Sequence, residues 1–519
     1  MTTLSVFMDV PLAQKLEGSL LKTYKQDSCP NKIFLAFRVC QTSKGQSWVS
    51  SVVPKMRLQI AQDPSLNYEY LPVNGMRSFT EAALKLLFGK HNQVIVENRV
   101  GGVHIVGDNG AFQLGAQFLK IWRKDSQIVY IISSKKGELL CKMGMTEDPS
   151  LLFPSPTPFA IFTVALLNLC HEQDGGQANC ACPFPVIVPP SASDPQTHSL
   201  TRLPPFPQYQ LEGGCVPTEP YGLVFQDMGF TVREYSFWDS KQLCMDANVL
   251  LNVAEQAPHD SIFVIGNICD CNLTQSQWAM LMASLKVSPT SAQLPSLMPS
   301  TLSSINLILF PFSFLLQNKR IFLFFDISNQ GLSTGDLEKD TGFLQYFVSQ
   351  GFEFFCSQSL SKNFGIYDEG VGILVVVALN NELLLCVLSQ LMKLTQALWL
   401  NPPTTGARII TSILCNPALQ EEWKQSLKGL VENIMLIKEK VKEKLRLLGT
   451  PGSWDHITDQ NGSHSYLGLN IQQVEYLVKK KHIYLPKNSR INFTCINAHN
   501  IDYITQSINE AVLSTKGLD

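Results

Sequence analysis

Short apolar runs recur through the second half of the chain, each bounded by polar or turn-forming residues. They read SIFVIG at residues 261–266, IFLFFD at 321–326 and FEFFC at 352–356. Their length and their β-branched or aromatic content are typical of buried strands in a parallel sheet. Amphipathic stretches such as LTQSQWAMLMASLK lie between them and predict helices. This alternation predicts an α/β fold with a mostly parallel sheet.

One long helix is predicted at residues 417–449. Asn416 is suited to cap its start, Pro417 fits its first turn, and Gly449 followed by Pro451 ends it. Apolar residues recur at spacings of three or four and form one face: Ile434, Ile437, Val441, Leu445 and Leu448. A helix of this length is able to join a large domain to a small C-terminal one.

Two stretches interrupt this pattern, and we interpret them as irregular insertions. Residues 138–221 contain segments such as CPFPVIVPPSASDPQ, and residues 287–318 are rich in Ser and Pro before they become apolar. Proline sustains neither a helix interior nor a central strand. Apolar runs at 158–170, 305–316 and 371–379 are shorter than the roughly 20 residues of a membrane-spanning helix, so no membrane partner is predicted.

Composition narrows the class of protein further. The 519 residues are 45% hydrophobic and 16% charged, which predicts a globular chain with more than one domain. With 41 basic and 43 acidic residues the chain has almost no net charge, so no electrostatic attraction of nucleic acid is predicted. The N-terminal sequence lacks the pattern of a secretory signal or transit peptide, so we expect a cytoplasmic protein with reduced cysteines. The pairs Cys180/Cys182 and Cys269/Cys271 lack nearby histidines, so no metal site is predicted.

The candidate chemistry lies where two predicted strands end. Asp326 closes IFLFFD, and Lys362 lies in SLSKNFGIYDEG just after FEFFC. Ligands of α/β proteins bind at the carboxyl ends of the strands. A lysine beside a carboxylate at this edge is a candidate for Schiff-base chemistry. The alternative is an exposed loop lysine and an aspartate that caps the next element.

These motifs resemble those of one family. The segment GFEFFCSQSLSKNFGIYDEGVG, with FFD upstream and NPPTTGARI, SWDHITDQNG, QVEYLVKKKHIYL and SRINF downstream, resembles the cytosolic aspartate aminotransferases. SVFMDVPLAQ, NYEYLPVNG and RVGGVHIVG match near the N-terminus. The resemblance implies pyridoxal-phosphate fold type I, with a large domain whose mostly parallel sheet lies between helices and a smaller α/β domain from both chain ends. We expect an N-terminal arm and part of the small domain at 1–45, the large domain at 46–429 and the rest of the small domain at 430–519.

The resemblance also implies roles for individual side chains. Lys362 would attach pyridoxal 5'-phosphate and move the substrate's proton, while Asp326 would hold the pyridine nitrogen protonated. Arg490 would bind the substrate α-carboxylate. Further cofactor contacts are expected from Ser359, from Asn272, and from Tyr70 of the neighbouring subunit of a homodimer. The substrates implied are an amino acid and a 2-oxo acid.

The sequence departs from the family at several of these positions. The family's phosphate-binding arginine is replaced by Gly370, and its glycine-threonine loop reads Gly107, Asp108, Asn109, Gly110. The tyrosine that contacts the cofactor ring is replaced by Asn329, and the stacking tryptophan falls at Lys136 or Gly137. On the substrate side, Gln396 replaces the family's arginine that binds the distal carboxylate. Arg38 replaces a glycine, and His464 replaces an aromatic residue. We expect weakened phosphate and distal-carboxylate sites, and we expect arginine at position 370 to raise cofactor affinity.

Three functions stay open at this point. The first is an aminotransferase of reduced or altered activity. The second is a catalytically impaired member that keeps the dimeric fold as an interaction partner. The third is another reaction of the same cofactor, such as racemisation. Single residues also have simpler readings: Arg490 as a salt-bridged arginine, Ser359 and Tyr70 as packing residues, and Asp108 as an ion-pair partner of Lys136.

Overall fold

The computed structural model describes residues 19–107, 109–132, 220–235, 238–239, 243–245, 247–266 and 319–514. All of them belong to one compact unit formed by residues 1–137 and 216–519. The two predicted insertions lie outside the described residues, except that positions 220 and 221 begin a helix. The predicted helix at 273–286, the apolar runs at 158–170 and 305–316, and the two cysteine pairs also lie outside them.

A seven-stranded sheet forms the centre of the fold, in the order β2-β10-β9-β8-β7-β3-β4. Strand β10 is antiparallel to both of its neighbours, and the other pairs are parallel. The mostly parallel sheet predicted from the apolar runs is therefore confirmed. The strands are β2 (Val100–Val106), β3 (Ile128–Ile132), β4 (Thr231–Tyr235), β7 (Ile262–Gly266), β8 (Phe322–Ile327), β9 (Phe354–Ser359) and β10 (Val371–Val377).

Apolar side chains cover both faces of this sheet. Successive residues of a strand point to opposite faces, so Phe324 and Phe355 belong to one hydrophobic cluster while Phe325 and Phe354 belong to the other. The helices of this part are α2 (Val52–Ala61), α3 (Arg77–Phe88), α4 (Gln93–Val96), α5 (Gly110–Trp122), α6 (Pro220–Asp227), α7 (Ala247–Gln256), α8 (Leu337–Ser349), α9 (Ser361–Phe364), α10 (Asn381–Leu398) and α11 (Thr405–Cys415). Two short strands, β5 (Trp238–Asp239) and β6 (Cys244–Met245), form a separate antiparallel pair.

A smaller α/β domain is built from both chain ends. Its hydrophobic cluster joins Leu35 to residues as distant as Ile508. Strand β1 (Ile33–Phe34) pairs with β12 (Ile483–Tyr484), and β11 (His464–Tyr466) pairs with β13 (Arg490–Asn492). The helices are α1 (Ser19–Gln26), α13 (His456–Asp459), α14 (Ile471–Lys481) and α15 (Ile501–Ser514), with a 3₁₀ turn at Phe493–Cys495. The domain boundaries at 45 and 429 stay predictions.

Helix α12 (Pro417–Leu447) connects the two hydrophobic regions, as the apolar stripe predicts. Its first half buries Trp423 and Leu427 in a large-domain cluster, and its second half buries Val441 and Leu445 in the small-domain cluster. The Asn416 side chain accepts hydrogen bonds from the first backbone amides, so the predicted cap is confirmed.

No helix among the described residues has both the length and the apolar character needed to cross a bilayer. The apolar run at 371–379 instead forms strand β10, whose residues are all buried in the sheet.

Candidate active site

The carboxyl ends of β8 and β9 bring three predicted site residues to one edge of the sheet. Asp326 lies on β8, where its register partner on β9 is Ser357. Ser359 is the last residue of β9, and Lys362 follows within the short helix α9. Because β8 and β9 are parallel, these positions meet at the same edge. The sequence prediction that they cluster is consistent with this geometry.

The turn that carries Lys362 is held by its neighbours on both sides. The Val371 amide donates to Ser361 Oγ at 2.7 Å, which ties the start of β10 to helix α9. Trp423 Nε1 donates to the Asn363 carbonyl at 2.9 Å. These bonds fix the backbone on each side of the lysine, so its side chain projects from a rigid support.

Gly365 ends the same turn and needs to be glycine. Its φ is +72°, in the left-handed region, and a Cβ there would lie 2.4 Å from the Trp48 carbonyl oxygen. Phe364, the preceding residue, stacks on Trp423 with ring centroids 4.4 Å apart. The close approach of the N-terminal segment therefore depends on the glycine in KNFG.

The Lys362 side chain is half-buried, and its ammonium forms no ion pair or hydrogen bond with a described residue. Its charge is felt by two neighbours, Cys40 and His464. Burial raises the pKa of the Cys40 thiol, and hydrogen bonds with Ser463 and Tyr367 and the charge of Lys362 oppose that increase. A lysine side chain without a fixed partner among the described residues is available to a ligand, and it reacts as a nucleophile in its neutral amine form.

The second part of the site is the β11–β13 ladder of the small domain. His464 lies opposite Asn492, and Tyr466 lies opposite Arg490. His464 Nε2 donates to the Phe37 carbonyl at 3.1 Å, because a carbonyl oxygen can only accept. Nδ1 therefore carries no proton and accepts from Ser463 Oγ at 3.0 Å.

His464 is neutral at physiological pH. Burial lowers its pKa to about 3, and the positive charges of Arg490 and Lys362 act in the same direction. The hydrogen bond to the Phe37 carbonyl opposes the decrease. The Arg490 guanidinium is half-buried and forms no ion pair with a described residue, which disfavours its reading as a salt-bridged arginine. Two unpaired cations thus lie near one neutral imidazole.

The loop between β2 and α5 is the position of the predicted phosphate site. Asn109 is exposed and its side chain makes no cap hydrogen bond, and Asp108 lies outside the described residues. The Gly107 amide donates to the Gly370 carbonyl at 2.9 Å. The Gly110 amide donates to the Gly107 carbonyl at 3.3 Å, so two amide donors of the loop are already used within the protein.

Gly370 itself leaves no room for a side chain. Its φ is +57°, and a Cβ would lie 2.9 Å from the Gly107 Cα. An arginine at this position would need the backbone to move in addition to bringing a charge. The expectation that arginine at 370 raises cofactor affinity therefore does not follow from charge alone.

The remaining predicted residues lie apart from Lys362 or outside the described residues. Tyr70 is 84% exposed, Gln396 is exposed in the last turn of α10, and no hydrogen bond or ion pair with a described residue joins either to Lys362. Arg38 is exposed, and Asn329 is half-buried after β8. The other positions, Asn272, Lys136 and Gly137, lie outside the described residues.

Sequence reasoning missed Lys438, a fully buried lysine on α12. Its Nζ donates to the Gln460 carbonyl at 2.6 Å and lies 5.5 Å from the centroid of the Phe493 ring. A signal was present, because position 438 falls four residues after Ile434 and belongs to the apolar face of that helix. Cys40 and Ser463 were also missed, and no sequence spacing links them to Lys362.

The fold and these residues define a class of protein. A lysine and an aspartate at the carboxyl edge of a mostly parallel sheet, with an arginine on a small domain from both chain ends, correspond to the pyridoxal-phosphate-dependent aminotransferase fold. Aromatic-amino-acid aminotransferase from Burkholderia pseudomallei, solved covalently bound to pyridoxal phosphate, has a TM-score of 0.71 to this chain. The two are 21% identical, and the match covers 98% of this chain and 100% of that one.

The chain belongs to the class I and II aminotransferase family, and within it to the aspartate aminotransferases. The family model, "Aminotransferase class I and II", matches residues 313–508. The chain is 59% identical over 516 residues to human "Putative aspartate aminotransferase, cytoplasmic 2", covering 99% of this chain and 96% of the relative. It is 32% identical over 514 residues to "Aspartate aminotransferase, cytoplasmic" of Gallus gallus, covering 98% of each. The family and fold predictions are confirmed, and the roles of individual side chains stay predictions.

Proposed function

We propose that this protein transfers an amino group between an amino acid and a 2-oxo acid, with pyridoxal 5'-phosphate held at Lys362. The observation that carries the proposal is the Lys362 ammonium, which forms no ion pair or hydrogen bond with a described residue. It lies on a rigid turn at the sheet edge that also bears Asp326. Family membership makes aspartate or glutamate the amino acid of first choice. The names of the relatives and the sequence favour a cytoplasmic enzyme.

The described residues fit the cofactor at its aldehyde and ring ends. The Lys362 ε-amino group would attach it, the Asp326 carboxylate would face the pyridine nitrogen, and Ser359 would donate to the phosphate. Asn329 would contact the ring oxygen, and Tyr70 of the partner subunit would contact the phosphate. Asn272, which lies outside the described residues, is expected to contact the ring oxygen as well. When bound, pyridoxal phosphate supplies an electron sink for negative charge at the substrate Cα.

The chain's own residues would orient the substrate and move its proton. Arg490 would bind the α-carboxylate in a bidentate geometry, since its guanidinium has no ion-pair partner among the described residues. This would place the substrate Cα near Lys362. Its Nζ would take the proton from Cα and return it to the carbon on the other side of the substrate nitrogen. A neutral His464 would leave the charge of Arg490 available to the substrate.

The fit is poorer at the phosphate end, so we propose weakened cofactor retention. Position 370 brings no cation, Asp108 brings an acidic side chain next to Asn109, and the Gly107 amide is bonded to Gly370. A lost charge-assisted hydrogen bond costs roughly 1.5–3 kcal/mol, and each 1.4 kcal/mol is about tenfold in affinity. We expect the protein to need added cofactor for full occupancy.

The same observation supports a second candidate function. If the closed Gly107–Gly370 contact excludes phosphate, the protein is a pseudoenzyme that keeps the homodimeric fold as an interaction partner. The retained Lys362, Asp326 and Arg490 favour the enzyme.

Spectroscopy and turnover together distinguish the two functions. Purified protein is titrated with pyridoxal phosphate, and its absorbance is compared with that of Lys362→Ala and of Lys393→Ala, a matched change of an exposed lysine on α10. The enzyme proposal predicts a lysine-bound cofactor band in the wild type and Lys393→Ala only, and its conversion by aspartate. The pseudoenzyme predicts no band at saturating cofactor, and that result would overturn the proposed activity.

A further inference from the structure

One face of the β11–β13 ladder collects the polar side chains of the small domain. Side chains of directly opposed residues in an antiparallel pair share a face, and so do residues two apart on one strand. His464 and Asn492 are opposed, and Arg490 lies two residues before Asn492. These three side chains therefore project from the same face.

The N-terminal segment is fixed onto this face at residues 37–39. Asn492 Nδ2 donates to the Phe37 and Val39 carbonyls, at 2.9 Å each. His464 Nε2 donates to the same Phe37 carbonyl at 3.1 Å. Both neighbours of Arg38 are thus anchored to the face that carries Arg490, so the Arg38 backbone is held in a defined place beside it.

The charge of Arg38 is available for a ligand. Its side chain is exposed and forms no ion pair with a described residue. Arg490 is likewise unpaired among the described residues, and the two guanidiniums originate from adjoining backbone segments of one subunit. An anion that binds both guanidiniums would offset the repulsion between their like charges.

The neutral Gln396 cannot supply a second charged contact. It is an exposed amide in the last turn of α10, and an amide pairs no charge. A substrate with two carboxylates would still have one unmatched negative group after Arg490 binds the first. Arg38 is a cation of the same subunit with the fork geometry that carboxylate prefers.

We propose that Arg38 is a specificity-determining residue that binds the second anionic group of a dicarboxylic substrate, in the same subunit as Arg490. This inference rests on the proposed function, because it assumes that Arg490 binds the first carboxylate. The second carboxylate would then be bound by the N-terminal segment rather than by the side chain at position 396.

Binding of two simple anions to the full-length, cofactor-loaded protein tests the proposal. Succinate carries two carboxylates and propionate one, and the ratio of their affinities by calorimetry isolates the second contact. Three variants are compared with the wild type: Arg38→Gln, Arg38→Lys and Lys44→Gln. The last removes another exposed, unpaired cation from the same segment and controls for overall charge.

The proposal predicts that Arg38→Gln lowers the succinate-to-propionate ratio about tenfold or more while propionate affinity is kept. Arg38→Lys should restore part of the ratio, and Lys44→Gln should leave it within about twofold. An unchanged ratio in Arg38→Gln, or no preference for succinate in the wild type, would overturn it. Failure of the proposed function is seen separately, as absence of the Lys362-dependent absorbance band.

Discussion

At the scale of single residues, the charges of the side chains distinguish the site from its surroundings. Lys362 and Arg490 form no ion pair with a described residue, whereas the nearby His464 is neutral because burial and the positive charges of these two residues lower its pKa to about 3. Both nitrogens of the neutral ring form hydrogen bonds within the protein, with the Phe37 carbonyl and with Ser463 Oγ. It therefore orients the N-terminal segment and leaves the cations to the ligand.

The low pKa of His464 predicts a dependence of stability on pH. The unfolded histidine binds a proton near pH 6.5 and the folded one only near pH 3, so the stabilisation is complete above pH 6.5 and is lost as pH falls. We expect His464→Phe to reduce the loss of unfolding free energy between pH 7 and pH 5 by about 1–2 kcal/mol. Urea unfolding at both pH values measures this. Ser463→Ala keeps the imidazole ring, so its unfolding free energy should fall between pH 7 and pH 5 as much as that of the wild type. An equally large fall in His464→Phe would contradict the low pKa of His464.

Gly370 gives a prediction about backbone strain. Gly370→Ala places a Cβ 2.9 Å from the Gly107 Cα at a φ of +57°, and we expect a destabilisation of about 1–3 kcal/mol. Gly342 is a matched control, because it is exposed within helix α8 and a Cβ there meets nothing within 4 Å. Gly342→Ala should be neutral or stabilising by up to about 1 kcal/mol. Equal effects of the two substitutions in thermal unfolding would show that position 370 is not strained.

At the scale of elements, the sequence predicted what local patterns determine. The runs at 261–266, 321–326 and 352–356 became β7, β8 and β9, because continuous apolar residues suit a strand buried on both faces. The antiparallel direction of β10 was not predicted, since an apolar run reads alike in both directions. Lys362 was found through its motif, but its neighbours Cys40 and His464 come from distant parts of the chain and only folding brings them together.

Helix α12 gives the prediction at this scale. Lys438 is fully buried on it and donates to the Gln460 carbonyl, in the segment that leads to β11. Lys438→Met fills the space but leaves that carbonyl without this donor, so we expect a loss of about 1–3 kcal/mol. Lys440→Met, on the exposed side of the same helix, should change stability by less than about 0.5 kcal/mol. Denaturant unfolding compares them, and equal losses would contradict a structural role of Lys438.

At the scale of the whole molecule, a single chain leaves several predicted site residues on its surface. Tyr70 is 84% exposed, and Gln396 is exposed at the end of α10. Tyr68, two residues earlier, is 92% exposed, and a surface with two tyrosine rings is suited to be covered by a partner. We therefore infer that the site is completed in a homodimer, in which Tyr70 of one subunit reaches the cofactor of the other.

Mixed dimers test this inference. Lys362→Ala and Tyr70→Ala are each inactive or impaired alone if the proposal is correct. After co-expression, one of the two sites in a hybrid dimer has both native residues, so we expect about a quarter of wild-type activity. Activity no greater than the sum of the separate variants would mean that Tyr70 acts within its own subunit or not at all.

Chemical trapping tests whether Lys362 holds pyridoxal phosphate. The protein is incubated with the cofactor, reduced with borohydride, digested and examined by mass spectrometry. We expect one pyridoxyl group per chain, on the peptide that contains Lys362. This label should be lost when aspartate is added before borohydride. Labelling spread over surface lysines such as Lys393, with Lys362 unmodified at saturating cofactor, would contradict it.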